Sequence, residues 1–230
     1  MRANSPSAWW LELRQTPKLI CLARTFPKHA QELGNQVPTS PLFFLKSPSA
    51  IIASGDTVLL PPSSSEVHHE SEIAVVLKTK LQHGSEEEAK QSIAGYTVLN
   101  DVTARDVQRA EDGRFCRAKS FDSFCPMSDE LLVIDDWTRL SVGCSVNGEE
   151  KQHGSLTEMF MSPYQLLAWL SAQLTLSAGD VVALGTPPGV GTLMHGDELR
   201  TTLFLDGAAH LNITNPVRDL GVRPKGGIRA

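Results

Sequence analysis

Glu70 and Glu72 stand one residue apart in the run EVHHESEIAVVLK, residues 66–78. Side chains two apart on a strand point the same way, so the two carboxylates share a face and Ser71 takes the other. Like charges at the mouth of the apolar run IAVVL repel unless something neutralises them, and a divalent cation is the simplest partner. The pair is half of a hard-cation site or two acids on a solvated edge strand, and the spacing alone fits both.

Other side chains with chemical potential are spread along the chain. Residues 95–108, GYTVLNDVTARDVQ, read as a strand running into a helical turn. If the turn begins at Asp101, then Asp101, Arg105 and Gln108 fall on one face. A carboxylate, a guanidinium and an amide projecting together suit a metal and an anionic ligand better than a core. Asp106, on another face, caps or pairs locally. In RTFPKHAQELGN, Pro27 opens a short helix and Gly34 ends it, which leaves His29 and Glu32 three apart. An imidazole beside a carboxylate gains basicity and a fixed tautomer, although a surface helix carries such pairs by chance. Lys119, in AKSFDSFCP, is either a charge stabiliser or proton donor, or the partner of Asp122. The loop GTPPGVG, residues 185–191, lacks the GK[ST] ending of a phosphate-binding loop. Its Gly185 and Thr186 N–H groups, with the Thr186 hydroxyl, either cradle a carboxylate or make a plain turn.

The elements that position these groups follow from hydrophobic pattern and turn chemistry. KLICLA (18–23), PLFFLK (41–46) and SGDTVLLPP (54–62) read as strands, with Lys46 at the end of its run either pointing into a pocket or, the expectation, snorkelling to water. LQHGSEEEAKQSIA (81–94) reads as a solvated outer helix, and RAEDGRFCR (109–117) as a mobile, lid-like loop. Cys125 reads as core. Asn147-Gly148 signals a hairpin, Ser162-Pro163 opens an amphipathic helix over the sheet, and SAGDVVALG and HGDELRTTLFLDG give turn-and-strand pieces.

Composition sets the bounds. A chain of 230 residues makes one large domain or two small ones and buries its own core. With 26 acidic against 21 basic residues and no basic block, nucleic acid is excluded as a partner. Four cysteines without a CxxC pair indicate reduced thiols in a cytoplasmic protein. No run approaches the about 18 apolar residues of a membrane span, and the N-terminus lacks a signal-like apolar stretch. Residues 1–17 read as an appended segment whose Trp9, Trp10 and Leu11 pack on the main domain, residues 18–230.

From residue 18 to 215 the chain resembles the fumarylacetoacetate hydrolase family, in particular its small single-domain acylpyruvate and fumarylpyruvate hydrolases. The resemblance rests on an ordered set of motifs: HAQELG, PLFFLKSPSA, VHHESEIAVVL, GYTVLNDVTARDVQ, AKSFDSFCP, VNGE and GDVVALGTPPGVG…GDEL. It implies a β-rich α+β fold, a mixed-sheet sandwich or roll with a few short helices, and a homodimer. It further implies Mg²⁺ or Mn²⁺ on Glu70, Glu72 and Asp101, and a water-activating dyad of His29 and Glu32. Lys119 would join the dyad in catalysis, and Arg24, Arg105, Gln108, Gly185 and Thr186 would meet the substrate. Three positions depart from the family's habit: Ala23-Arg24-Thr25-Phe26 replaces G-R-N-Y, Ser120 replaces glycine, and Phe115-Cys116 stands where tryptophan is common. They touch substrate choice and leave the ligands and dyad intact.

The residues fit that chemistry. A 2,4-diketo acid presents a carboxylate and an adjacent keto oxygen that chelate one hard cation. His29 would activate water against the distal carbonyl, and C–C cleavage would give a carboxylic acid and pyruvate enolate. The alternatives on the same residues are oxaloacetate decarboxylation, keto–enol tautomerisation, and a non-catalytic metal- or ligand-binding module.

Overall fold

The computed structural model describes residues 17–34, 36, 38–112 and 114–221, so the expected packing of Trp9, Trp10 and Leu11 lies outside the described residues, as does the tail from 222. Fifteen strands occur among these: β1 Leu19–Ala23, β2 Leu42–Lys46, β3 Ile51–Ile52, β4 Val58–Leu60, β5 Val67–His69, β6 Ser71–Leu77, β7 Ile93–Asn100, β8 Thr103–Ala104, β9 Cys125–Pro126, β10 Leu140–Val146, β11 Glu149–Ser155, β12 Val181–Ala183, β13 Gly191–Thr192, β14 Glu198–Leu205 and β15 Ala208–Asp219. The α-helices are α1 Pro27–Glu32, α2 Glu86–Ser92, α3 Arg105–Ala110, α4 Phe115–Lys119 and α5 Pro163–Gln173. This is a β-rich α+β fold with mixed sheets and short helices.

One five-stranded sheet has the order β2-β1-β12-β6-β7, the other β11-β10-β14-β15-β4, and β6 and β7 pack against β10, β14 and β15. The pleat sorts the first sheet's side chains into two cores. Ile20, Leu22, Ile73, Val75, Tyr96 and Val98 point to the core shared with the second sheet and α5. Leu19, Cys21, Ala74, Leu99 and Ala183 point to a second core with Phe44, Val67, Ala118 and Phe124. Burying both faces explains why β6 reads as a continuous apolar run.

The turns obey local chemistry. Asn147 and Gly148 have φ of 54° and 79° and join β10 to β11 as a hairpin. Helices α2 and α5 start with reciprocal capping boxes, Ser85 with Glu88 and Ser162 with Gln165, and α5 carries its apolar Leu166, Leu167 and Leu170 into the core. Gly34 closes α1 in the left-handed region, as expected.

Three local expectations change. The ExE run is not one strand: β5 ends at His69, β6 begins at Ser71, and the chain changes sheets at Glu70. The helix after β7 begins at Arg105, because Thr103 and Ala104 first pair with β5. The polar segment 109–117 is partly helical, taken up at its ends by α3 and α4.

Asn100 fixes the register where the two sheets meet. Fully buried, it accepts the Glu70 N–H at 2.9 Å and donates to Ser71 Oγ at 3.1 Å and Thr201 Oγ1 at 3.0 Å. Asn100→Leu strands the Glu70 N–H and removes three bonds; it should lower unfolding free energy by about 2–3 kcal/mol in urea denaturation.

Candidate active site

The two-residue period of β6 and β7 carries straight into the site. Glu72 follows Ala74's face and Asp101 follows Leu99's, so both carboxylates emerge on the second-core side, while Ser71 and Asn100 face the other sheet. Glu70, at the sheet switch, is tied to Asp101 by the Asp101 N–H on its carbonyl at 2.7 Å. Glu70, Glu72 and Asp101 are all buried and offer oxygens within 4.8 Å of one another.

Three cations meet these acids. Arg105 Nη2 and Lys119 Nζ donate to the two oxygens of Glu70, the latter at 2.6 Å. Lys119 Nζ also reaches Asp101 Oδ2 at 2.5 Å, and Lys46 Nζ reaches Asp101 Oδ1 at 2.5 Å. Among the described residues Glu72 takes a single bond, from the Gly185 N–H at 2.9 Å. The titration behaviour follows. Burial alone would raise Glu70, yet Arg105 and Lys119 hold it well below the carboxylate range. Glu72, buried beside Asp101 and Glu70 with one backbone donor, is pushed well above it. Burial works to deprotonate Lys119, but Asp101 and Glu70 outweigh it and raise its pKa.

The donor set is all oxygen and anionic, which suits a hard divalent cation such as Mg²⁺ or Mn²⁺. The cluster carries a second sign of fit: burial and two neighbouring carboxylates oppose the ionisation of Glu72, and a cation in that place would reverse the opposition.

A cavity of about 290 Å³ opens onto the cluster. It gathers Arg24, His29, Arg105, Gln108, Lys119 and Thr186 with the three acids, so the sequence candidates converge despite the shorter helix. Gln108 Oε1 accepts from Arg105 at 3.0 Å. His68 accepts from Arg105 Nε at 3.5 Å; burial and the Arg105 charge bring its pKa to about 4, which keeps it neutral. Phe44 stacks on Phe115 with centroids 4.7 Å apart, and Lys119 Nζ lies 5.2 Å from the Phe44 ring centre.

His29 Nδ1 lies 3.2 Å from Glu32 Oε2, so Nδ1–H donates to the carboxylate and Nε2 keeps the lone pair. Burial is the largest influence on His29 and lowers its pKa below 6.5, against the upward pull of Glu70 and Glu32. Glu32 Oε1 in turn accepts the Gly189 N–H at 2.9 Å.

Loop 185–189 therefore serves both halves of the site. Gly185 has φ of 99° and a Cβ there would fall 2.0 Å from Thr25 Oγ1; Gly189 has φ of 98° and a Cβ would fall 2.1 Å from the Lys151 carbonyl. Two of the groups singled out in this loop are already bonded within the protein. Its Gly185 N–H is engaged by Glu72, and the Thr186 hydroxyl donates to the Ser71 carbonyl at 2.9 Å. Gln152 fastens the loop: its Nε2 donates to Thr186 Oγ1 and the Pro187 carbonyl, and its Oε1 accepts from His69 Nδ1 and the Ser71 N–H.

For the lysines, one expectation is corrected and one open alternative is decided. Lys46 does not snorkel; it is 2 % exposed and bound to Asp101, because in β2 it shares the inward face of Phe44. Lys119 pairs with Glu70 and Asp101, not Asp122. Period-two reading of FFLK would have placed Lys46 inside; nothing local marks Gln152 or Asn100, whose partners lie far along the chain.

The sequence model of the family described as fumarylacetoacetate (FAA) hydrolase C-terminal matches residues 18–218. The Escherichia coli protein named oxaloacetate tautomerase YcgM is 38% identical over 191 residues, 80% of this chain and 87% of its own length. A crystal structure described as a fumarylacetoacetate isomerase/hydrolase from Oleispira antarctica superposes with a TM-score of 0.81 at 36% identity, covering 89% of this chain and 94% of that one. Another, 5-carboxymethyl-2-hydroxymuconate delta-isomerase from Mycobacterium smegmatis, gives a TM-score of 0.80 at 36% identity, with 90% and 80% covered.

Lys46→Met keeps length and apolar bulk but strips Asp101 of one buried partner. It should cost about 3–5 kcal/mol of stability, read by urea or thermal unfolding.

Proposed function

Because the chain belongs to the fumarylacetoacetate hydrolase family, a family of enzymes, we propose that its cavity binds a small 2-oxo acid with an acidic C3 methylene and moves a proton at C3, interconverting keto and enol forms. The observation that carries this reading is the pairing in one cavity of a neutral base, His29, with a cationic, carboxylate-anchored group, Lys119. Relatives named oxaloacetate tautomerase and hydroxymuconate isomerase support it, since both names describe movement of protons and double bonds.

Glu70, Glu72 and Asp101 would hold Mg²⁺ or Mn²⁺, which supplies Lewis acidity toward the 2-oxo group of a bound acid. The surrounding charges are already matched, three carboxylates against Lys46, Arg105 and Lys119, so the two charges of the cation are left for an anionic ligand. His29 Nε2, oriented through Nδ1 by Glu32, takes the C3 proton and returns it to carbon or to oxygen. Lys119, held between Glu70 and Asp101, balances negative charge developing on the enolate oxygen. Arg105, fixed by Glu70, His68 and Gln108, keeps the acid in register. Phe44 and Phe115 form an apolar wall that excludes water from the proton path.

One observation favours a second reading, hydrolysis of 2,4-dioxo acids such as acetylpyruvate or fumarylpyruvate. Glu32 is itself held by the Gly189 N–H, so the dyad is aimed well enough to deprotonate a water that attacks the distal carbonyl. An NMR time course with Mg²⁺, oxaloacetate, acetylpyruvate and fumarylpyruvate, each with an EDTA control, separates the readings. EDTA-sensitive keto–enol interconversion without new carbon skeletons is expected. Pyruvate plus the matching acid would transfer the assignment to hydrolysis, pyruvate plus CO₂ from oxaloacetate to decarboxylation, and inertness toward all three would defeat an enzymatic reading on these acids.

His29→Ala should lower kcat by about 10²–10⁴-fold. Its depressed pKa places the acid limb of kcat/KM below pH 6.5: the base is lost as pH falls through the His29 pKa, and activity is level above it. Unchanged turnover in the variant would remove His29 from the chemistry. Glu72→Ala should weaken Mn²⁺ binding, followed by electron paramagnetic resonance, by about 100-fold or more, with no substrate present.

A further inference from the structure

We propose that Arg24 selects dicarboxylic substrates by receiving the carboxylate at the end of the acid remote from the 2-oxo group. This rests on the proposed 2-oxo acid chemistry and assigns its substrate class.

Three arginines line the cavity. Arg105 is spent on Glu70 and Gln108, and Arg109 on Glu66. Lys119 is likewise spent, on Glu70 and Asp101. Arg24 alone of the cavity's cations has no hydrogen bond or ion pair with any described residue. Arg24 lines the cavity, and its guanidinium, with five N–H donors and no acceptor among the described residues, is poised for a ligand carboxylate.

The backbone adds an independent observation. Arg24 has φ of 58°, a left-handed conformation that is uncommon for a long side chain without local hydrogen bonding. The position lies between the end of β1 and the start of α1, one turn of chain before His29. β1 is locked between β2 and β12, and the next residue, Thr25, bonds the Leu184 carbonyl at 2.6 Å. The surrounding structure thus holds Arg24 in a conformation the residue itself does not favour. Its side chain joins the lining of the cavity that His29 also lines.

The groups at the carboxylate cluster are committed to the 2-oxo end, since that is where the oxygen ligands and Lys119 converge. A second negative charge on the substrate must be met elsewhere, and Arg24 is the cation left to meet it. The apolar Phe44, Phe115 and Leu33 make up other parts of the lining and offer such a charge nothing.

The test compares oxaloacetate with its C4 methyl ester, which keeps the skeleton and removes the distal charge. The wild-type protein is compared with Arg24→Lys and with Arg24→Asn, a neutral residue that tolerates the left-handed region. The wild type should prefer the dicarboxylate in kcat/KM. Arg24→Asn should lower that preference by about 100-fold, mostly through KM for oxaloacetate, and Arg24→Lys should retain part of it. Losses of equal size on acid and ester, or an unchanged preference in both variants, overturn the proposal. If the wild type turns over neither compound, the reaction reading fails; calorimetric titration of the same pair, on wild type and variants with Mg²⁺ present, then reads the discrimination directly. Equal affinity of the wild type for acid and ester would overturn the assignment of Arg24 on its own.

Discussion

Everything in this molecule is arranged around the cost of keeping three carboxylates out of water within 4.8 Å of one another. Isolated buried charge is among the most expensive things a fold can contain, and neighbours of like sign make it worse. The fold answers with Lys46, Arg105 and Lys119, each brought by a different element: the end of β2, the start of α3 and the end of α4. The compensation is uneven. Glu70 has two cationic partners and its pKa is held down, whereas Glu72, buried with a backbone amide and two hostile neighbours, has its pKa pushed up. Two acids of the same type thus have their pKa values pushed in opposite directions by their surroundings, the condition under which a site becomes useful as well as costly.

Placing those charges requires the sheets to be built around the switch at Glu70. β5 belongs to a small three-stranded sheet and β6 to the large one, so Glu70 can leave the pleat and turn toward Arg105 and Lys119 while Glu72 stays in it. Asn100 and Gln152 hold this junction from the two sides, each using both ends of its amide. Buried amides of this kind are costly when half satisfied and strongly orienting when complete.

Much of this was legible in the chain. Glu70 and Glu72 do meet, although through a sheet switch and not the single strand inferred, and the Asn147-Gly148 hairpin, the Pro27 and Ser162-Pro163 helix starts and the apolar IAVVL strand are local signals that the packing respects. Asp101, Arg105 and Gln108 meet in the cavity although Asp101 is not helical; the shared face was inferred from the wrong geometry, because β8 pairing with β5 delays the helix. What could not be read was tertiary. Lys46 meets Asp101 55 residues away, and Gln152 meets Ser71 81 residues away, contacts that depend on sheet order and leave no periodic trace. The Gly185 amide was correctly singled out as a carboxylate donor, but the carboxylate it serves belongs to the protein.

The loop from Gly185 to Gly189 has a consequence for how function could be lost or altered by mutation. It contacts Glu72 and Glu32 through main-chain amides, so the groups doing the work are the same whatever side chain other than proline is encoded. Side-chain scanning is blind to such contacts: a substitution at either position would report the collision of a new Cβ with Thr25 or Lys151, and the amide's own contribution would stay hidden beneath it. Only replacement of the amide by an ester, which deletes the donor and leaves the outline intact, isolates it. The same property makes these two contacts resistant to drift, because coding changes other than to proline can displace the loop but cannot remove the hydrogen that reaches the acid.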